Sequence, residues 1–213
     1  MRTTALVITG GGSVRAPMPP GLDGALVIAA DGGVAEAIRL GLDVDILVGD
    51  LDSASHDDIA LVEAAGAEIE RHPIDKDATD LELAMARAVR EGVTRIVVLG
   101  GDGGRLDHLL GNAMVLASPR WAGLQVEAIL GAATITVIRG ERVIEGEPGD
   151  TLSLFAVGGT ARGITTEGLR WALHDADLAA GTSLGISNAF REHRAVVRVH
   201  EGVVLAVAPG EGG

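Results

Sequence analysis

"RIVVLGGDGGRLDHLLGNAMVLA", Arg95 to Ala117, runs from an apolar, β-branched stretch through a glycine-rich turn into a pattern with helical spacing. Strand, turn and helix in that order make half of a βαβ unit, and such units build parallel sheets. Outward from this stretch the same alternation recurs in "ALVITGG", "ALVIAADGG" with "VAEAIRLG", "VDILVGD" with "DDIALVEAAG", "AEIERH" with "TDLELAMARAVREG", and "VEAILG". Residues 1–131 are therefore expected to form an α/β domain on a mostly parallel sheet. After Gly131 the texture changes to "TITVIRG", "RVIEG", "TLSLFAV", "AVVRVH" and "VVLAVA", separated by Gly, Pro and Asp and without helical spacing. Residues 132–213 are expected to form an all-β sandwich.

Composition narrows the function. With 47% hydrophobic residues and a length of 213, the chain can bury a sizeable core. A net charge of -13 argues against nucleic acid and anionic membranes, whose binding needs clustered Lys and Arg. A nucleotide remains compatible with that charge when Mg²⁺ accompanies it. The chain has no Cys, which excludes disulfides, thiolate chemistry and Cys-based zinc sites. The six histidines show no H-x-x-x-H spacing. The apolar run at the N-terminus is too short for a signal-peptide core, so a cytoplasmic location is expected. The most membrane-like stretch, Trp121 to Ile138, contains Gln125 and Glu127 and alternates β-branched residues, which predicts strands.

In open α/β sheets ligands sit beyond the carboxyl ends of the strands. The residues there are Gly10-Gly11-Gly12, Asp31-Gly32-Gly33, Gly49-Asp50-Leu51-Asp52-Ser53, the stretch "HPIDKDATDLELA" (His72 to Ala84), and Gly100 to His108. In an extended segment Asp50 and Asp52 point the same way and can reach one hard cation, with Gly49 leaving room for a phosphate. The alternative is an Asp-rich loop that caps the next helix through Ser53 or Ser55. Thr79 and Glu82 have the spacing of a capping box, with Asp80 in the first turn. That explains neither Lys76, the chain's only lysine, nor Asp75 and Asp77 beside it, which are either ligands or solvated loop charges. In the opening stretch the glycines turn N–H groups toward an anion, and Arg105 offers a bidentate fork to phosphate oxygens. Asp107 and His108 start the helix that follows.

Standard decoys fail on context. Lys76 is followed by Asp77, so there is no P-loop, and no G-x-G-x-x-G opens the first helix. "GTSLG" around Ser183 fits a nucleophile elbow but follows "DADLAA" in the all-β half, with no downstream Asp to complete a triad.

Taken in order, "AADGG", "GDLDS", "DKDATDLELA", "GGDGGRLDHLLGN", "GLRWAL" and "GTSLGISN" resemble thiamine pyrophosphokinase, from about Ala29 to Asn188. The resemblance implies a catalytic α/β domain, a β-sandwich that helps bind the vitamin, and a homodimer. It implies Mg²⁺ and ATP, with thiamine converted to thiamine diphosphate and AMP released. By position, Asp31, Asp50, Asp52 and Asp80 correspond to the metal and phosphate acids. Lys76, Gly32, Thr79, Arg105 and His108 correspond to the nucleotide side; the general base is unassigned, with Asp80 and Asp107 as the candidates to accept the hydroxyl proton. Trp171, Ser187 and Asn188 fall beside thiamine, and Phe190 is a second aromatic for the stacked ring. Leu51 departs from the Phe usual in "GDFDS". A diphosphokinase for another alcohol, such as a hydroxymethylpterin, and a non-catalytic nucleotide or thiamine sensor are the alternatives.

Overall fold

Short aliphatic runs bounded by Gly, Asp or Pro become strands here because β-branched side chains pack well on a pleated surface and the bounding residues turn the chain. The computed structural model of the protein describes residues 2–100 and 105–210. In chain order the elements are β1 Thr4–Thr9, β2 Leu26–Ala30, α1 Gly33–Arg39, β3 Ile46–Gly49, α2 His56–Ala64, β4 Glu68–Arg71, α3 Asp80–Arg90, β5 Arg95–Gly100, α4 Leu106–Leu116, a 3₁₀ turn Pro119–Trp121 and β6 Gln125–Leu130. Then follow β7 Ala133–Ile138, β8 Glu141–Glu145, β9 Thr151–Ala156, β10 Ala161–Glu167, β11 Ala176–Leu178, β12 Asn188–Ala189, β13 Arg194–Arg198 and β14 Val204–Ala208. The chain divides into two units, Met1–Asn112 with Gly123–Gly131, and Ala113–Ala122 with Ala132–Gly213. The last turn of α4 and the 3₁₀ turn thus group with the second unit, a detour that the strand pattern around residue 131 does not reveal.

In the first unit the strands lie in the order β6-β5-β1-β2-β3-β4, every neighbouring pair parallel. Leu6, Ile8, Val27, Ala29 and Leu47 line one face and pack with Val34 and Ala37 of α1 and Val62 of α2. Helix α3 packs on β1, β2 and β3 through a stripe of Leu81, Ala84, Met85 and Ala88, the spacing of one helix face. The chain leaves β1 toward β2 and leaves β5 toward β6 on the other side. The order therefore reverses between β1 and β5, and their carboxyl ends flank the crevice where such sheets bind ligands. Gly33 seats α1 on the sheet, since a Cβ there would lie 2.2 Å from the Ile8 carbonyl oxygen.

The edge strand β4 is tied to α3 by charge. Arg87 reaches Glu68 at 2.7 Å, Glu70 at 2.8 Å and Glu91 at 2.9 Å, and Arg90 reaches Glu70 at 2.6 Å. Burial opposes ionisation of Glu70, but the bonds from Arg87, Arg90 and His72 outweigh it and hold the carboxyl down at about 2. Charged side chains on an edge strand also blunt its tendency to pair with another chain.

The second unit holds two antiparallel sheets, β12-β9-β14-β7 and β11-β10-β13-β8. Ile138, Leu152, Leu154 and Val204 of one meet Ile164, Leu178, Ala195 and Val197 of the other in a single core. This is the expected sandwich, and residues 132–210 contain no helix. Trp121 to Ile138 forms the 3₁₀ end and strands β6 and β7, as its alternation predicts. Among the described residues no helix is long and apolar enough to cross a membrane.

Candidate active site

A cavity of about 550 Å³ opens at the carboxyl ends of the first unit's strands. Its walls come from Thr9, Gly10 and Gly11 after β1, from Asp31 and Gly32 after β2, and from Thr79, Asp80 and Leu81 at the head of α3. Arg105, Asp107 and His108 at the start of α4 close a further side. The cavity thus lies at the point where strand order reverses. Gly101, Asp102, Gly103 and Gly104, the glycine-rich turn read as an anion cradle, lie outside the described residues.

Asp31, Asp50 and Asp52 each bring a carboxylate oxygen within 4.8 Å of the other two. The reason differs from the expected one. Strand β3 ends at Gly49, so Asp50 and Asp52 do not lie on an extended segment. Leu51 stands between them at φ 63, a left-handed conformation that turns the chain and brings both acids to one place. Asp50 accepts the Asp52 N–H at 3.4 Å within this turn. Asp31, 9% exposed, is itself left-handed at φ 46 and accepts the Ser53 N–H at 3.3 Å. Two non-glycine residues in this region cost roughly 1–3 kcal/mol each, which the surrounding packing must offset. Ser55, and not Ser53, caps α2 by accepting the Asp58 N–H at 3.0 Å.

Lys76 is the cation at this cluster. Its Nζ donates to Asp50 Oδ2 and to Asp80 Oδ1, each at 2.7 Å, and its side chain is 13% exposed. Burial works against its charge, yet the two carboxylates prevail and raise its pKa, while the bond from Lys76 lowers that of Asp50. Asp80 is not one of the three converging acids; it shares Lys76 with Asp50, which is. Thr79 caps α3, accepting the Glu82 N–H at 3.3 Å, and so fixes the first turn that carries Asp80. Gly49 accommodates Asp31 and Asp80 more than a phosphate: a Cβ there would lie 2.9 Å from Asp80 Oδ1 and 3.1 Å from Asp31 Cβ. Asp75 and Asp77 are exposed and outside the three-acid group.

Arg105 turns its fork onto Asp107, at 2.6 and 3.2 Å. That pair is open to solvent, and Arg105 holds the Asp107 carboxyl down at about 2. Three carboxylate oxygens converging beside a lysine suit a hard divalent cation such as Mg²⁺, which takes oxygen ligands and works with phosphates. Sequence patterns missed Glu36. It is 8% exposed, pairs with Arg39 at 2.6 Å and accepts the Val14 N–H at 2.9 Å, tying the segment after β1 to α1. Its i,i+3 spacing to Arg39 was the available signal.

The second unit holds the remaining candidates. Trp171 is 55% exposed, and the Arg170 guanidinium lies over its ring 4.9 Å from the centroid. Asn188, 6% exposed, donates to the Trp171 carbonyl at 2.7 Å and accepts the Trp171 N–H at 3.1 Å. Ser187 is exposed at φ 57, and its N–H donates to Ser153 Oγ at 3.0 Å. Phe190 is not available for stacking. It is 3% exposed, belongs to the sandwich core, and leaves no room for a Cβ on Gly146, which would lie 2.7 Å from its ring.

Comparison with known proteins accords with this layout. Residues 23–128 match the family described as "Thiamin pyrophosphokinase, catalytic domain", and residues 134–204 match "Thiamin pyrophosphokinase, vitamin B1 binding domain". Thiamine pyrophosphokinase 1 of Oryza sativa subsp. japonica is 30% identical over 171 residues, covering 74% of this chain and 63% of that protein, so the chain spans just under two thirds of its length. Thiamine pyrophosphokinase of Bacillus subtilis (strain 168) is 26% identical over 184 residues, covering 85% of this chain and 86% of that protein. A crystal structure of thiamine pyrophosphokinase from Bacillus subtilis superposes with a TM-score of 0.80 at 25% identity, covering 98% of this chain and 99% of that one. With two successive family descriptions matched along the chain and a shared fold, the chain belongs to the thiamine pyrophosphokinase family.

Proposed function

We propose that the protein is a Mg²⁺-dependent thiamine diphosphokinase that transfers pyrophosphate from ATP to the thiamine hydroxyl, giving thiamine diphosphate and AMP. The observation that carries this reading is the convergence of Asp31, Asp50 and Asp52 beside Lys76, at the strand ends of a chain in this family. Asp31, Asp50 and Asp52 would hold Mg²⁺, with Asp80 beside them. Bound there, the ion neutralises charge on the phosphate oxygens and orients them. Lys76 offsets further negative charge, and Arg105 reaches phosphate oxygens by exchanging Asp107 for them. Gly32, Thr79 and His108 complete the nucleotide side.

Phosphoryl-type transfer is mostly positioning and charge stabilisation, so no protein nucleophile is required. The thiamine hydroxyl oxygen bonds to the β-phosphorus while the bond from that phosphorus to the oxygen bridging to the α-phosphorus breaks. AMP leaves with that oxygen, and the hydroxyl proton passes to Asp80 or Asp107. Trp171 offers a stacking surface for thiamine, with Ser187 and Asn188 adjoining it. A homodimer in the cytoplasm completes the proposal.

Assay of the purified chain with ATP, Mg²⁺ and a panel of alcohols that includes thiamine and a hydroxymethylpterin tests it. AMP is expected only with thiamine, and chelation of the metal with EDTA is expected to stop its formation. Release of ADP or free phosphate, transfer to the pterin instead, or binding without turnover would each overturn the reading.

A further inference from the structure

We infer that Asn188 is a positioning residue that acts through Trp171, and is not a contact of the substrate ring; this rests on the proposed stacking of thiamine at Trp171. Trp171 lies between β10 and β11, outside any strand, so its peptide groups have no ladder partners. Buried or half-buried peptide groups need partners from somewhere. Asn188 supplies both: Nδ2 donates to the Trp171 carbonyl at 2.7 Å, and Oδ1 accepts the Trp171 N–H at 3.1 Å. The same Oδ1 accepts the Ala189 N–H at 2.9 Å, which fills its two lone pairs. Two N–H donors on one side and a carbonyl on the other also fix which end of the amide is oxygen. One Nδ2 hydrogen remains, on a residue only 6% exposed. The amide therefore behaves as a substitute peptide unit, spent on the backbone of residue 171.

The flanking chain is pinned in the same way. Arg170 N–H donates to the Ala189 carbonyl at 2.8 Å, Leu169 pairs with Phe190, and Leu173 exchanges bonds with Thr166 at 2.8 and 3.0 Å. What this rigid backbone presents is an indole 55% exposed, with Arg170 over one face. A planar ring has the opposite face to stack on. Fixing that platform in advance lowers the entropy lost when the ring binds.

A double-mutant cycle in the full-length protein tests the assignment, using Trp171→Ala, Asn188→Ala and both together. Alone, N188A should raise the thiamine KM about tenfold, from the loss of its hydrogen bonds to residue 171, with kcat and the ATP KM within about twofold. In the W171A background the same change should add less than about twofold, since no indole is left to hold. Trp121 is buried and Trp171 exposed, so faster anisotropy decay of the exposed indole in N188A provides a readout independent of turnover. Should N188A fail to fold, Asn188→Ser takes its place in the cycle. Equal losses in both backgrounds, or unchanged indole anisotropy, would give Asn188 its own substrate contact and overturn the inference alone. An unaltered thiamine KM in W171A would overturn the stacking reading and this inference with it.

Discussion

At the scale of single residues, the site depends on conformations that a side chain rarely adopts. Asp31 at φ 46 and Leu51 at φ 63 turn three acids toward one point, and Gly49 at φ 148 leaves the space that Asp31 and Asp80 fill. Like charges this close repel, and Lys76 relieves part of that through Asp50. Asp50→Asn and Asp52→Asn each keep the side-chain shape and remove a charge from the proposed metal site. Each is expected to lower the rate of AMP formation by at least about 100-fold. The thermal midpoint of Asp52→Asn should stay within a few degrees, because Asp52 is exposed, whereas Asp50→Asn also weakens the pair with Lys76 and should lower the midpoint more. Wild-type turnover in either variant would remove that residue from the metal set. Phe190 illustrates the opposite case. Its type suits stacking on a planar ring, but the strand bridge to Leu169 and the close approach of Gly146 place it in the core.

At the scale of elements, α3 lines the cavity at one end and anchors the edge strand at the other. Thr79 and Asp80 stand at its head, while Arg87 and Arg90 in its last turns pair with β4. Glu70 is the hub of that anchorage, and its carboxyl is held at about 2. A carboxyl whose folded value lies below its unfolded value adds stability above the unfolded value and loses it as pH falls through the folded one. For a shift of this size the contribution is on the order of 3 kcal/mol. Wild type should therefore exceed Glu70→Gln in urea-unfolding free energy by that amount near neutral pH. The gap should close as pH falls from about 4.5 toward 2. A gap that stays constant over that range would show that Glu70 stabilises by shape and not by charge.

At the scale of the whole molecule, the proposed homodimer needs a surface to form on. Leu106 and Leu110, spaced to share one face of α4, are 70% and 55% exposed. Light scattering after size exclusion is expected to give the mass of two chains at micromolar concentration, and a monomer there would overturn the dimer. Much of the architecture was legible along the chain. Alternating strand and helix patterns announce the parallel sheet, the change of texture after Gly131 announces the sandwich, and Asp or Gly at successive strand ends mark the edge where the cavity lies. These features repeat locally, with periods of two or about 3.6 residues, so the sequence by itself determined the element types and the sheet edge at which the cavity and the acids of the proposed site lie. Tertiary structure alone decided that Leu51 turns left-handed to bring Asp50 and Asp52 together, and that Lys76 bridges to Asp50 across 26 positions of sequence. It also decided that Asn188 spends its amide on Trp171, and that Phe190 is core. Those outcomes depend on which distant residues meet, and no local period encodes such a meeting.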